Sequence, residues 1–525
     1  MSKTLLSVFA ITLFLSFFRL GSVTLFDVDE AVFATATKEM VESGNWITPT
    51  YNGVNRYDKP ILFYWLMALS YKVFGVNEFS ARFPSAFASS LLVLAVFLFL
   101  RHLKNETTAF NASLSTAVSV YFLVYSHAAV TDMTLTLFIT LSLLSLYCSL
   151  TEKSTTGRRF FIQGFYLFSA LAFLTKGLIG ILFPFGIAFT YLLITGKIRG
   201  VKKVFSGSGI ILFLMVSLPW YIAQTAINGQ EFIRQFFLKH HFMRYTDVIS
   251  GHRGAVYYFL PVLIIGLLPW IAFLPGGIKQ VFEKTSTQNR YDAVNHVDSL
   301  SLFVFLWFTI IVVFFSFSTT KLPNYILPAV PAASLLISFG MEREDRWRNF
   351  GYLFIAVISL ITGFAFLISK RYLLQYGIRE TDWTLVAAVI LFCSSAVGWY
   401  AVLKKKTFPV AMAVLSAVFL SLLSLKALPL ANQALQGTLY KYSIYARDRL
   451  PRGEVFIVYG INYPSIAFYS GHKLKLIDNR EHLLPLLEPG GRSFIIAKEK
   501  ETESLEQLGF HLIEMEGMYA ILERQ

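Results

Sequence analysis

Apolar runs long enough to cross a bilayer, divided by short polar breaks, fill most of this chain. A spanning helix needs about 20 apolar residues, and its backbone polar groups must find partners inside the segment. Such runs lie near 4–24, 84–101, 107–125, 131–150, 160–175, 177–195, 206–223, 256–275, 299–317, 323–340, 349–369, 382–403 and 407–428, about thirteen in all. The pattern predicts a polytopic α-helical membrane protein. Composition agrees, with 55% hydrophobic and 15% charged residues and a mean hydropathy of +0.57, against about 25% charged in soluble domains. No small-x-small cleavage site precedes the first acidic residues, so the first run is expected to stay as a helix rather than leave as a signal peptide.

The formal net charge is +14. The basic residues gather in alternate short connections, such as Arg101 with Lys104, Arg158 with Arg159, Lys202 with Lys203, and Lys404 to Lys406. Membrane orientation accounts for them better than nucleic acid does, and no nucleic-acid partner is expected. These loops are expected inside, with a cytoplasmic N-terminus and an external C-terminus. Cys148 and Cys393 both lie in apolar runs, so neither a disulfide nor thiol chemistry is expected.

The last ninety or so residues change character. Short strand-like runs at 454–459, 473–477 and 493–497 and a helical pattern at 501–508 predict a small α/β domain over 432–525, outside the membrane. Residues 1–431 then form the membrane domain, with a first outer loop over about 25–83.

That orientation collects ionisable residues on the outer face. Asp29, Glu30, Asp58 and Lys59 lie in the first outer loop, and Asp132 opens the fourth run. Lys176, Lys321 and the set His240, His241 and Arg244 fall in later outer turns. Charge beside a bilayer is costly unless it faces water or does chemistry. Asp29 and Asp132 have the chemistry of a general base or an orienting group. Lys59, Lys176, Arg244 and Lys321 suit phosphate oxygens. Asp58 with His240 or His241 suits a divalent metal cation; no organic cofactor is expected. Each residue also has a plain structural reading. Asp29 and Glu30 fit the start of a helix over 31–43, Asp132 fits a helix cap, and the lysines fit snorkelling at the interface.

Several motifs, in order, resemble a known family: Asp29-Glu30-Ala31, Tyr57-Asp58-Lys59-Pro60, Phe79-Ser80-Ala81-Arg82-Phe83-Pro84, Leu174-Thr175-Lys176-Gly177, His240-His241-Phe242-Met243-Arg244-Tyr245 and Lys321-Leu322-Pro323-Asn324-Tyr325. They are similar to the bacterial lipid-linked glycosyltransferases, which include the aminoarabinose transferases of lipid A and, more distantly, the protein O-mannosyltransferases. The resemblance implies a GT-C fold, juxtamembrane helices in the first outer loop, a polyprenyl-phosphate sugar donor and metal-assisted transfer with inversion. It implies Asp29 as the catalytic acidic residue, and Asp58 and Lys59 near metal and donor phosphate. It also implies His240 or His241 as the metal partner, and Arg244 and Lys321, with Tyr325 beside them, as donor contacts. One position departs: Val32-Phe33 stand where the aminoarabinose transferases often carry Arg-Tyr.

The expected function is therefore sugar transfer from a polyprenyl phosphate, of the undecaprenyl kind, to lipid A at the periplasmic face of the inner membrane. A protein or another glycolipid as acceptor is the alternative. A lipid or sugar transporter is the alternative of another class, although transporters commonly place their charges near the midplane and show inverted repeats.

Overall fold

The computed structural model describes residues 3–196, 204–236, 254–286, 298–375, 378–404, 408–451, 454–486 and 492–524. The chain forms two compact units: Met1–Phe18, Asp58–Phe63 and Ser85–Leu425 in the first, and Arg19–Tyr57, Tyr64–Pro84 and Lys426–Gln525 in the second.

Apolar helices dominate the first unit. Among the described residues of the whole chain, seven helices are long and apolar enough to span a membrane, and two bent pairs raise the number to nine. The pairs are Glu106–Ala117 with Val120–Ser126, bent by 60°, and Val256–Gly266 with Trp270–Glu283, bent by 110°. A helix lies at each of the thirteen expected places, but apolar run length is not helix length, and some of those helices are shorter than a full crossing. The 4–24 run is helical only over Lys3–Phe17, and Ile179–Ile194 has 16 residues. The Thr155–Lys176 helix is long, but Arg158, Arg159 and Gln163 occupy its first turns.

Bonds between helices hold this unit. Asn105 and Ser119 cap the two halves of the first bent pair, accepting N–H bonds from Thr108 and Phe122. Buried Trp270 and Trp307 donate their indole N–H groups to the carbonyls of Val118 and Pro328, at 2.7 and 2.9 Å. Ser142 on Asp132–Thr151 bonds both the Phe165 carbonyl and the Ser169 hydroxyl of Thr155–Lys176. Such polar contacts, with small residues, replace the hydrophobic drive that is lacking between helices in lipid. Gly277 and Gly340 show the small-residue part: a Cβ on Gly277 would lie 1.9 Å from the Leu336 carbonyl oxygen, and one on Gly340 would lie 2.0 Å from that of Phe273. Large apolar side chains such as Phe189, Ile211, Ile361 and Leu385 are exposed, as expected where lipid is the solvent.

The second unit opens with the loop 19–28 and the helix Asp29–Ser43, ended by Gly44 in the left-handed region (φ 71°). A short hairpin follows, β1 (Thr50–Tyr51) paired with β2 (Val54–Asn55). The C-terminal part joins the helix Leu428–Arg449 to a five-stranded mixed sheet. Its strands are β3 (Val455–Tyr459), β4 (Leu474–Ile477), β5 (Ser493–Lys498), β6 (His511–Glu516) and β7 (Tyr519–Arg524), in spatial order β4-β3-β5-β7-β6. Strand β3 runs parallel to β4 and β5, and β7 antiparallel to β5 and β6. The three strands expected from sequence are present; β6 and β7 were not expected. Phe456, Val458, Phe494 and Ile496 pack with Leu439 and Tyr442 on one face, while Ile457 and Ile495 pack with Leu483 and Phe510 on the other. Both faces are covered, which is why β3 and β5 read as continuous apolar runs.

Candidate active site

In the first unit, a helical hairpin brings an acid and a base together. Asp132 is the first residue of Asp132–Thr151, and Lys176 is the last of Thr155–Lys176. A carboxylate at a helix N-terminus and an ammonium at a C-terminus both complement the helix dipole. The two helices are antiparallel neighbours, so these favourable ends coincide. Lys176 Nζ donates to Asp132 Oδ1 at 2.5 Å, and Asn324 Nδ2 donates to Asp132 Oδ2 at 3.0 Å. Asp132 is 3% exposed, so these two partners rather than bulk water satisfy its side-chain oxygens. The Tyr325 ring lies 5.6 Å from Lys176 Nζ, within cation–π range.

Local sequence explains the placement. Gly180 lets the chain fold back directly after Lys176, since a Cβ there would sit 2.3 Å from the Ala172–Phe173 backbone. Pro323 opens the short 3-10 helix Pro323–Ala329, which carries Asn324 and Tyr325. The Tyr121 hydroxyl anchors that turn by donating to the Pro323 carbonyl at 2.9 Å.

The other expected residues divide. Lys59 and Asp58 are adjacent and mostly covered: Lys59 Nζ donates to the Asp58 carbonyl at 3.1 Å and lies 3.8 Å from Asp58 Oδ2. Lys321 is buried, and its ammonium donates to the carbonyls of Ser316 and Ser318 at 2.7 and 2.8 Å, closing the end of the Asp298–Ser316 helix. Burial pulls it below the ordinary lysine range. His240, His241 and Arg244 lie outside the described residues. Among the described residues no group of three His, Cys, Asp or Glu side chains converges as a metal site. Asp58, with an ammonium beside it, does not by itself make one.

In the second unit the acidic pair separates. Asp29 is exposed on the first turn of Asp29–Ser43, and among the described residues no donor reaches its carboxylate. Glu30 is buried and takes a two-pronged bond from Arg82, Nε to Oε1 at 3.0 Å and Nη2 to Oε2 at 2.9 Å. Arg82 also donates to the carbonyls of Leu20, Val23 and Thr24, so one guanidinium ties the 20–24 turn to the start of the helix. Val32 and Phe33 are buried, and the Arg56 guanidinium lies 5.6 Å from the Phe33 ring.

Sequence reasoning assigned no role to Asn324, Arg82 or Asp27. Asn324 and Arg82 stood within quoted motifs, and their signal was a polar side chain in an apolar setting. Asp27 accepts the Ser465 N–H at 2.8 Å and the Ser465 hydroxyl, and with its amide turned Gln436 donates to Asp27 Oδ2 at 2.9 Å. Burial pushes the Asp27 carboxyl up to about 6, against the lowering effect of the Ser465 bonds.

A family model described as dolichyl-phosphate-mannose-protein mannosyltransferase matches residues 58–222. The undecaprenyl phosphate-alpha-4-amino-4-deoxy-L-arabinose arabinosyl transferase 2 of a Pseudomonas fluorescens strain is 30% identical over 386 residues, 72% of this chain and 67% of that protein. Transferase 1 of another strain is 30% identical over 349 residues, 66% of this chain and 61% of its own length. The chain therefore spans about three fifths of that relative. The crystal structure of ArnT from Cupriavidus metallidurans bound to undecaprenyl phosphate superposes with a TM-score of 0.84 at 21% identity, covering 99% of this chain and 97% of that one. The fold is thus that of a multispan membrane transferase with a small C-terminal mixed sheet. The chain belongs to the family of undecaprenyl phosphate–aminoarabinose transferases.

Proposed function

We propose that the chain transfers 4-amino-4-deoxy-L-arabinose from undecaprenyl phosphate to lipid A, working at the periplasmic face of the bacterial inner membrane with its N-terminus cytoplasmic and its C-terminus periplasmic. The observation that carries the reading is the Lys176 ammonium, held on Asp132 beside Asn324 and the Tyr325 ring. Family membership supplies the donor class.

The reaction is a single displacement. An acceptor oxygen attacks the anomeric carbon, the bond from that carbon to the phosphate oxygen breaks, and undecaprenyl phosphate departs with the electron pair. Inversion follows. Negative charge grows on the leaving phosphate, and a preorganised cation in a site of low dielectric stabilises it. Lys176 is the cation whose orientation is fixed. Asp132, with both oxygens engaged, acts as the residue that positions it. Lys59 and Arg244 are further cations for the donor, whereas Lys321, with its ammonium on the Ser316 and Ser318 carbonyls, braces the turn before Asn324. Asp29, exposed and without a donor on its carboxylate among the described residues, is the base for any proton the acceptor oxygen carries.

The test is mass spectrometry of lipid A from cells with and without the chain, and with Lys176→Ala. A mass gain on lipid A that needs Lys176 is the expected result. A protein acceptor is the second reading, favoured by the match of residues 58–222 to the family model described as dolichyl-phosphate-mannose-protein mannosyltransferase. A gain on periplasmic proteins alone would replace the first reading with this one.

A further inference from the structure

The second unit holds a half-open cavity of about 1010 Å³ that none of the chemistry above uses. Its walls come from the helix Asp29–Ser43, the turn before the Glu78–Leu103 helix, the helix Leu428–Arg449 and the stretch leading into β4. A cavity of this size suits a ligand larger than one sugar ring.

Its lining mixes charge with aromatic rings: Lys38, Arg447, Lys473 and Lys475 stand against the acids Glu42, Glu78 and Glu454, and the lysines flank the aromatic wall. Lys38, Lys473 and Lys475 line it, and among the described residues none has an ion-pair partner. Glu78, one of the acids on the wall, is already engaged, accepting the Tyr469 hydroxyl at 3.0 Å. Tyr440 and Phe468 flank Tyr469 edge to face, at ring separations of 4.8 and 5.1 Å. Lys38 Nζ lies 5.8 Å from the Phe468 ring. Lysines bind phosphate oxygens as point charges, and electron-rich ring faces attract the C–H edges of a sugar.

The lysines stand on a braced frame. Glu39, next to Lys38, accepts bonds from the Thr50 hydroxyl at 2.6 Å and from the N–H groups of Asn52 and Gly53 at 2.6 and 3.1 Å. The Asn52 amide then clasps Leu474, between Lys473 and Lys475, donating to its carbonyl and accepting its N–H, both at 2.7 Å. Helix, hairpin and edge strand are thereby tied together, so the cations are positioned before any ligand arrives.

We propose that this cavity binds a phosphorylated saccharide, with Lys38, Lys473 and Lys475 on phosphate oxygens and the Tyr440–Tyr469–Phe468 wall against the sugar. Its assignment as the acceptor's headgroup rests on the transferase reading; the binding chemistry does not.

The test is calorimetric titration of the full chain in lipid nanodiscs with a phosphorylated disaccharide, its unphosphorylated counterpart and inorganic phosphate. The phosphorylated disaccharide should bind more tightly than either fragment. Lys473→Ala with Lys475→Ala should weaken it at least about tenfold, one charge-assisted contact's worth, while undecaprenyl phosphate affinity and thermal melting stay unchanged. Inorganic phosphate binding equally well, or affinity untouched by the double substitution, would overturn the proposal. A parallel arm competes the soluble disaccharide with an intact phosphoglycolipid in the disc. Competition supports a lipid headgroup as the source, and its absence overturns the acceptor assignment. A chain that binds the headgroup yet transfers no sugar would sink the transferase reading and leave the cavity assignment standing.

Discussion

The Asp132 carboxylate and the Lys176 ammonium meet 2.5 Å apart where one helix begins and its hairpin partner ends. Their side chains are only 4% and 13% exposed. Asn324 fills the carboxylate's other oxygen. Each Asp132 oxygen thus accepts a bond from a neighbouring side chain, and the geometry suits Asp132 to holding Lys176 in place.

Lys176→Ala should lower kcat/KM by about 100- to 1,000-fold, the scale of one lost electrostatic stabiliser. Asp132→Ala should cost less alone, and adding it to Lys176→Ala should cost little more. Single-turnover transfer by both variants and the double would read this coupling. Additive losses would mean that the two residues act separately.

Asp29→Asn should lower kcat by about 100- to 10,000-fold. Because Asp29 is exposed, melting temperature and undecaprenyl phosphate binding should not move. A variant with wild-type turnover would remove Asp29 from the mechanism.

Glu30→Gln should destabilise the protein by about 3–5 kcal/mol, since it strands the buried Arg82 charge. Arg82→Lys should also destabilise it, because an ammonium cannot span both carboxylate oxygens and reach the carbonyls of Leu20, Val23 and Thr24. Denaturant melts of the purified chain would measure both losses. A pair of apolar residues at 30 and 82 should recover part of the stability.

Asp27 predicts a pH effect. Its carboxyl ordinarily titrates at 3.8 and is raised to about 6 in the folded chain, chiefly by burial. Between these values the folded state holds the proton that the unfolded state has released, so this group's contribution to stability falls as pH rises from about 4 to about 6 and is level above that. Asp27→Asn should flatten that part of the stability profile. An unchanged slope in melts across this range would refute it.

Much of this was legible in sequence, for reasons that differ by element. The apolar runs located the helices because the membrane imposes a minimum length and admits few charges. The strands β3, β4 and β5 were legible because both faces of the sheet are buried around them. The hairpin of β6 and β7 was not: residues such as Glu514, Glu516 and Arg524 interrupt its apolar pattern. Helix ends were less legible than helix positions, as at Phe17 and at the bend between Ala117 and Val120. Chain breaks there depend on caps and packing rather than on hydropathy.

The sequence by itself determined a helical membrane body, strands near the C-terminus and a short roster of acids and cations, because burial cost and backbone hydrogen bonding act on each segment alone. Which of those charges pair was decided only by tertiary structure. Asp29 and Glu30 are neighbours in the chain, yet one is exposed and the other is locked on Arg82, because successive helical side chains point in different directions. Asp132, Lys176 and Asn324 are remote in the chain, yet they form one cluster, because three helix ends converge. That convergence comes from packing between segments, which no single segment encodes.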